Sequence, residues 1–326
     1  MPMKAAVVEQ WGHPPVYTDQ PEPLVRDGAV VATVEASALT NLTRGLMSGK
    51  HYASKEIDLP AIPGVDGVAR LEDGTRVYAG AVKPYGMMAE RTLVDPGGAL
   101  VLPDDVDSIT AAAIPNPGMS AWMSLEYAAA VSPGDNVLVL GATGVTGAIA
   151  VQLAKSAFGA GRVVVVGRDT ARLDWLRTVG ADDSIALKSE SLSERVAALH
   201  AERPFDAVLD YLWGEPAEQT LTALASSHPA AHFHATRFVQ IGSMAGMTID
   251  LPAGILRSTG ITLSGIGIGS VPPDVMARAR TEALPRMFDM IAKGELHLRT
   301  QARPLADVER VWGAAEPAGT RVVLTP

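Results

Sequence analysis

The stretch Leu138-Val139-Leu140-Gly141-Ala142-Thr143-Gly144-Val145-Thr146-Gly147 decides the fold. It leaves an apolar segment, Asn136 to Leu140, of the kind buried on both faces of a sheet. It then passes through regularly spaced glycines into a helix-forming segment from Gly147 to Phe158. Such a turn lets backbone approach a pyrophosphate closely and aims the unpaired N–H groups of a helix N-terminus at the negative charge. The spacing is G-x-x-G-x-x-G rather than the stricter G-x-G-x-x-G. A turn needed only for packing is the competing explanation, which the surrounding strand–helix alternation weakens. The candidate nucleotide contacts are Gly141, Ala142, Thr143, Gly144, Val145 and Thr146.

Outward from this loop the alternation continues. Strands are expected at residues 162–166, 184–187, 207–209, 238–241 and 261–264, with helices at 170–179 and 192–200. Strands joined by crossover helices describe an α/β, doubly wound parallel sheet. Residues before Pro115-Asn116-Pro117-Gly118 read differently, as short β-branched runs rich in Pro and Gly. Gly67 to Leu71, Asp73-Gly74 and Gly74 to Ala79 make a hairpin there, and Ala38 to Met47 is the main helical stretch. After a helix from Pro273 to Lys293, short strands return near Thr300 and Arg321. The sheet domain, 118–267, is thus inserted in a mostly β domain formed by 1–117 and 268–326.

Composition narrows the function. The 326 residues are 47% hydrophobic and 19% charged, which suits two domains with cores of their own. A net charge of −9 argues against a nucleic-acid partner or an anionic membrane surface. With Cys 0 there is no disulfide framework, Cys-ligated zinc, iron–sulfur cluster or Cys nucleophile. Glu9 cuts short the apolar run from Ala5 to Val8, so no signal-peptide core is expected, and no run is long enough for a spanning helix. A cytoplasmic protein is expected. His228, His232 and His234 fall in a Pro/Ala-rich segment expected to be a surface loop, with a weak adventitious metal patch or no metal role.

The second strand addresses the choice of cofactor. Val163 to Val166 ends in Gly167-Arg168-Asp169. Gly167 leaves room for a 2′-phosphate and Arg168 supplies a planar donor, with Arg172 expected within reach on the next helix. Asp169 is either a ribose ligand or the N-cap of that helix, and its place at the strand end favours the cap. The expected cofactor is NADP(H).

Ile62-Pro63-Gly64-Val65-Asp66-Gly67-Val68-Ala69, Leu100 to Pro103, Ala111 to Pro115, the glycine loop and Val151-Gln152-Leu153-Ala154-Lys155 occur in this order, followed by Val179 to Asp182 and Gln240 to Ser243. Together they resemble the medium-chain dehydrogenase/reductase superfamily, in its zinc-independent quinone oxidoreductase branch. The resemblance runs nearly end to end. It implies a Rossmann domain beside a GroES-like substrate domain, the nicotinamide between them, and a homodimer through the sheet edges. Zinc alcohol dehydrogenases of the superfamily use a Cys ligand and a Gly-His-Glu segment, where this chain has no Cys and carries Gly64-Val65-Asp66.

The resemblance also implies site residues. Thr40-Asn41-Leu42-Thr43-Arg44 matches a Val-Asn-Pro-x-Asp segment near the nicotinamide, so Asn41 is a candidate to hold an oxygen, with a helix cap as the alternative. Arg44 stands where that segment has an acid. His51 and Tyr52 cover the position of a tyrosine proton donor in related enoyl-thioester reductases, and either is a candidate donor. Tyr211, Leu212, Ile241, Gly242 and Ser243 end two Rossmann strands and are expected near the nicotinamide. Ser120 is a further candidate contact, and Gly267 and Gly269 are contacts or hinge residues. The expected reaction is hydride transfer from NADPH to a quinone or α,β-unsaturated carbonyl, a small-molecule partner, without metal. The alternatives are an enoyl-thioester reductase and a non-catalytic redox sensor. Arg278, Arg280 and Arg286 are the nearest approach to the basic patch that an acyl carrier would need.

Overall fold

The computed structural model describes residues 2–26, 28–226 and 233–326, without the side chain of Tyr52. Fifteen strands run along the described chain: β1 (Pro2–Val7), β2 (Val16–Pro21), β3 (Val30–Ala38), β4 (Asp66–Arg70), β5 (Arg76–Gly80), β6 (Arg91–Val94), β7 (Leu100–Val101), β8 (Asn136–Leu140), β9 (Arg162–Gly167), β10 (Asp183–Ala186), β11 (Ala207–Asp210), β12 (Ala235–Gln240), β13 (Gly260–Gly265), β14 (Arg299–Pro304) and β15 (Thr320–Thr325). They divide between two compact units, residues 1–116 with 285–326, and residues 117–284. The first boundary lies beside the expected one. At the second, residues 268–284 fall with the sheet domain rather than the β-rich one, because the helix from Pro273 to Ala292 runs through a π-helical segment, Ala279–Ala283, with no break in the chain to mark the division.

The second unit is a six-stranded sheet in the order β10-β9-β8-β11-β12-β13, with every neighbouring pair parallel. β8 lies at the centre and all its residues are buried, which is why its sequence is apolar without alternation. The chain steps from β8 to one side and later returns to β11 on the other, so the switch in strand order falls between those two strands. Leu138, Leu140, Val164, Val166, Phe205, Val208 and Phe238 form the core with the crossover helices. Helices Gly214–Ser226 and Ala253–Ser258 were not expected from the sequence; Gly214 and Pro216 at the start of the first obscure its period.

The first unit holds a seven-stranded sheet, β14-β15-β3-β4-β5-β7 with β6 on β3, and the separate pair β1–β2. The expected hairpin is β4–β5, antiparallel with Arg70 opposite Arg76. β15, from the chain end, pairs with β3 and so joins the two sequence segments of this unit. Among the described residues no helix is long and apolar enough to cross a membrane.

Candidate functional site

In the second unit the carboxyl ends of β8, β9, β11, β12 and β13 share one edge of the sheet, and the sequence candidates collect there. Gly141 turns the chain out of β8 with φ +78°, a left-handed conformation costly for other residues. Its N–H and that of Ala142 both donate to the Val166 carbonyl of β9, at 3.1 and 3.0 Å. Gly147 is needed for another reason. A Cβ there would lie 2.6 Å from the Gly141 carbonyl oxygen and 2.8 Å from the Ala142 Cα, so the helix packs directly on the turn. That helix, Val145–Ser156, has Gly144 at its N-cap and no side chain bonded to its first N–H groups. The result is a backbone cradle with an uncapped helix N-terminus, which fits a pyrophosphate.

At the end of β9, the space a Cβ on Gly167 would fill is taken by Thr143, whose Cγ2 lies 2.4 Å from that position. Gly167 therefore locks the glycine loop to β9, a role different from the room for a 2′-phosphate expected from sequence. Asp169 is the cap of helix Thr170–Thr178, accepting the Arg172 N–H at 3.1 Å. Arg168 is exposed and makes no side-chain bond to a described residue. Arg172 differs from expectation. It is 3% exposed, and its guanidinium lies over the Trp175 ring at 4.1 Å, because it shares the inward face of the helix with Leu173 and Leu176.

The loops after β11 and β12 are tied together. Ile241 and Gly242 donate to the Asp210 carbonyl at 2.8 and 3.1 Å, and Ala245 donates to the Leu212 carbonyl at 2.7 Å. Leu212 and Tyr211 in turn pack on Gly141, with Leu212 Cδ2 3.0 Å from where a Cβ would stand. Tyr211 is buried. That burial pushes its phenol up, against the opposing effect of the Ser124 hydroxyl. Ser243 follows at the partly buried end of the β12 loop. Ser120 lies within helix Pro115–Met123, not at an N-terminus, and its carbonyl accepts the Ser124 hydroxyl at 2.7 Å. Gly267 and Gly269 are exposed around the 3₁₀ turn Ile268–Ser270 after β13.

In the first unit, helix Asn41–Met47 is capped by Thr40, which accepts the Thr43 N–H at 3.1 Å. Asn41 is thus the first helical residue rather than the cap, and it is exposed. Arg44 is turned to structure. Its Nε donates to the Trp312 carbonyl at 2.8 Å and its Nη2 pairs with Glu316 at 2.9 Å. His51 caps the 3₁₀ turn Tyr52–Glu56, its Nδ1 accepting the Ala53 N–H at 3.2 Å, so the neutral ring carries its proton on Nε2. The Tyr52 side chain lies outside the described atoms. A cavity of ≈ 310 Å³ opens beside the same helix, lined by Thr43, Met47, Ile57, Ala61, Val65 and Tyr85 among others. Ile62 to Val65, part of the stretch that carries the resemblance, line this cavity, which forms only when the 59–65 and 81–85 segments fold against the helix.

His228 and His232 lie outside the described residues. His234, expected in a surface loop, is partly buried, with Nε2 3.1 Å from the Phe205 carbonyl and 3.4 Å from Asp206. Among the described residues no three His, Asp or Glu side chains converge so as to hold a metal ion.

The comparisons with known proteins follow this geometry. The family described as "Zinc-binding dehydrogenase" matches residues 145–288. The chain is 27% identical to the "Probable NADPH-dependent quinone reductase tdiC" of Emericella nidulans, over 99% of this chain and 100% of that one. The quinone oxidoreductase of Thermus thermophilus, whose structures include a complex with NADPH, is 27% identical with a TM-score of 0.76, covering 99% of this chain and 100% of that chain. In sequence and fold the chain is similar to proteins of the medium-chain dehydrogenase/reductase superfamily, in its quinone-reductase-like branch. A more partial relative within this breadth is the 2-methylene-furan-3-one reductase of Solanum lycopersicum, 30% identical over 53% of this chain and 48% of that protein. These relatives are named as reductases or oxidoreductases of quinones and enones.

Proposed function

We propose that the protein is an NADP(H)-dependent oxidoreductase that reduces a quinone or an α,β-unsaturated carbonyl without a metal ion. One observation carries the nucleotide choice. Asp169 is engaged in capping its helix, whereas the neighbouring Arg168 is exposed and bonded to no described residue. Arg168 offers a bidentate donor to a 2′-phosphate, while the Oδ1 of Asp169 is committed to its helix cap. The loop 141–146 takes the pyrophosphate on the N–H groups of Thr143, Val145 and Thr146, those of Gly141, Ala142 and Gly144 being engaged in holding its shape, and Tyr211, Leu212, Ile241, Gly242 and Ser243 border the nicotinamide half. The NADPH named for the Emericella and Thermus relatives supports this reading.

The bound reduced nucleotide supplies a hydride. Quinones and enones accept it without a metal because the arriving charge spreads onto oxygen. The chain's own contribution is to orient, to exclude water and to move a proton. The apolar cavity beside helix Asn41–Met47 receives a flat acceptor, the Asn41 amide holds its oxygen, and His51 delivers a proton from Nε2. The reading includes a homodimer through an edge of the parallel sheet, whose outer strands are β10 and β13.

The test is oxidation of NADPH against a panel of quinones, enones and saturated ketones, with and without a chelator. Turnover with quinones or enones alone, unchanged by the chelator, is expected. Tight nucleotide binding with no turnover on any acceptor would instead make the protein a nucleotide-binding sensor.

A further inference from the structure

Asp210, which the sequence motifs leave unmarked, closes β11 and is 0% exposed. Its Oδ1 accepts the Leu212 N–H at 2.8 Å and the Trp213 N–H at 3.0 Å. Its Oδ2 is enclosed and has no hydrogen-bond partner among the described residues. A carboxylate oxygen kept dry without a donor is costly, and packing alone would favour an uncharged side chain here. The turn that Asp210 holds is itself strained. Trp213 has φ 57°, left-handed for a residue with a Cβ, and Gly214 follows at φ 59°. This is the turn that seats Leu212 on Gly141 and bonds to the loop after β12.

We propose that Asp210 is the positioning residue of the nucleotide site, its ionised carboxylate holding the Leu212–Gly214 turn in the shape that Gly141 and the β12 loop require for binding. The inference rests on the nucleotide-binding reading and adds its regulation by protons. Ionised, Asp210 makes charge-assisted bonds to both N–H groups, roughly twice as strong as neutral ones. Neutral, it loosens its hold on a conformation that the chain would otherwise leave.

Burial raises the carboxyl to about 6, with the Trp213 and Leu212 N–H groups opposing, so the change of state falls in an accessible range. The surrounding groups do not confuse the titration. On the adjacent strands its register partners are Leu140 and Gln240, both uncharged. Tyr211, next in its own turn, is kept neutral by burial. Glu215, at the start of the following helix, is exposed and accepts from Gln219.

The experiment is calorimetric titration of the full chain with NADP⁺ between about pH 5 and pH 8, wild type beside Asp210→Asn. Asparagine keeps an acceptor oxygen for the two N–H groups and cannot ionise. Titration of the nucleotide's own phosphate is common to both proteins and cancels in the comparison. In the wild type, affinity should fall about tenfold from the neutral to the acid end, following the ionised fraction. Asp210→Asn should bind more weakly than wild type at neutral pH and lack this additional dependence. Parallel pH profiles in the two proteins would overturn the proposal while leaving nucleotide binding intact. No binding by the wild type at any pH would overturn the nucleotide reading, and this inference with it. Should Asp210→Asn not fold, the ¹³C carboxyl signal of Asp210 in the wild type decides. Its titration midpoint should drop when NADP⁺ binds, and an unmoved midpoint contradicts the proposal.

Discussion

The two ends of the proposed chemistry are built from different materials. In the second unit the nucleotide cradle is almost entirely backbone: the left-handed turn at Gly141, the contact of Gly147 with that turn, the pressure of Thr143 on Gly167, and an uncapped helix. In the first unit, the cavity and the helix beside it depend on side chains brought together by long-range folding, as when Arg44 meets Glu316 across 272 positions of sequence. Backbone sites are fixed by a few residues close in sequence and tolerate little change. Side-chain sites are set by partners far apart and can drift while the fold stays.

The sharpest way to break this contrast is Gly147→Val. Its branched side chain would meet the Gly141 and Ala142 backbone, which cannot move aside without opening the turn. Overpacking of this kind costs about 3 kcal/mol or more. A large fall in melting temperature and loss of nucleotide binding are expected; retention of both would show that the turn is plastic.

Asp210 sharpens the comparison as a carboxylate buried within the backbone site. Its folded pKa of about 6 lies above the ordinary value of 3.8, so the folded state holds the proton more tightly than the unfolded chain. The stability it contributes is present at acid pH and is lost as pH rises through this interval, a cost of about 3 kcal/mol at neutrality. Asp210→Asn should accordingly melt higher than wild type at about pH 8 and lose that advantage toward pH 4, even though its nucleotide binding is weaker. A residue needed only for stability would show the opposite at neutral pH.

The smallest effect belongs to the first unit. Arg44→Ala removes a half-screened ion pair, with side chains 23% and 17% exposed, together with a hydrogen bond to Trp312. It should cost about 1 kcal/mol in denaturant unfolding and leave nucleotide affinity unchanged. A large loss of affinity would mean that the two regions are not separable in the way described.

The same contrast explains what the sequence revealed. The glycine loop, the buried run of β9 and the Asp169 cap depend on neighbours within a few residues, and each was legible. Arg172 was not, because its fate was set by which helical face turned inward, and it lies against Trp175 instead of reaching outward. The role of Arg44 required Glu316 from the far end of the chain. Asp210 carried no role of its own in the sequence, since neither its complete burial nor the left-handed Trp213 after it leaves a mark there. The division at residue 284 was hidden by the continuous helical run that crosses it.

The central claim is that the second unit binds NADP(H) through its glycine loop and Arg168. The direct measurement is fluorescence titration of the pure protein with NADPH and NADH, wild type beside Arg168→Ala. The account predicts much tighter binding of NADPH, and a preference reduced by about 1–3 kcal/mol in the variant, the worth of a charge-assisted hydrogen bond. Equal binding of the two nucleotides by the wild type, or a preference untouched by Arg168→Ala, would contradict it.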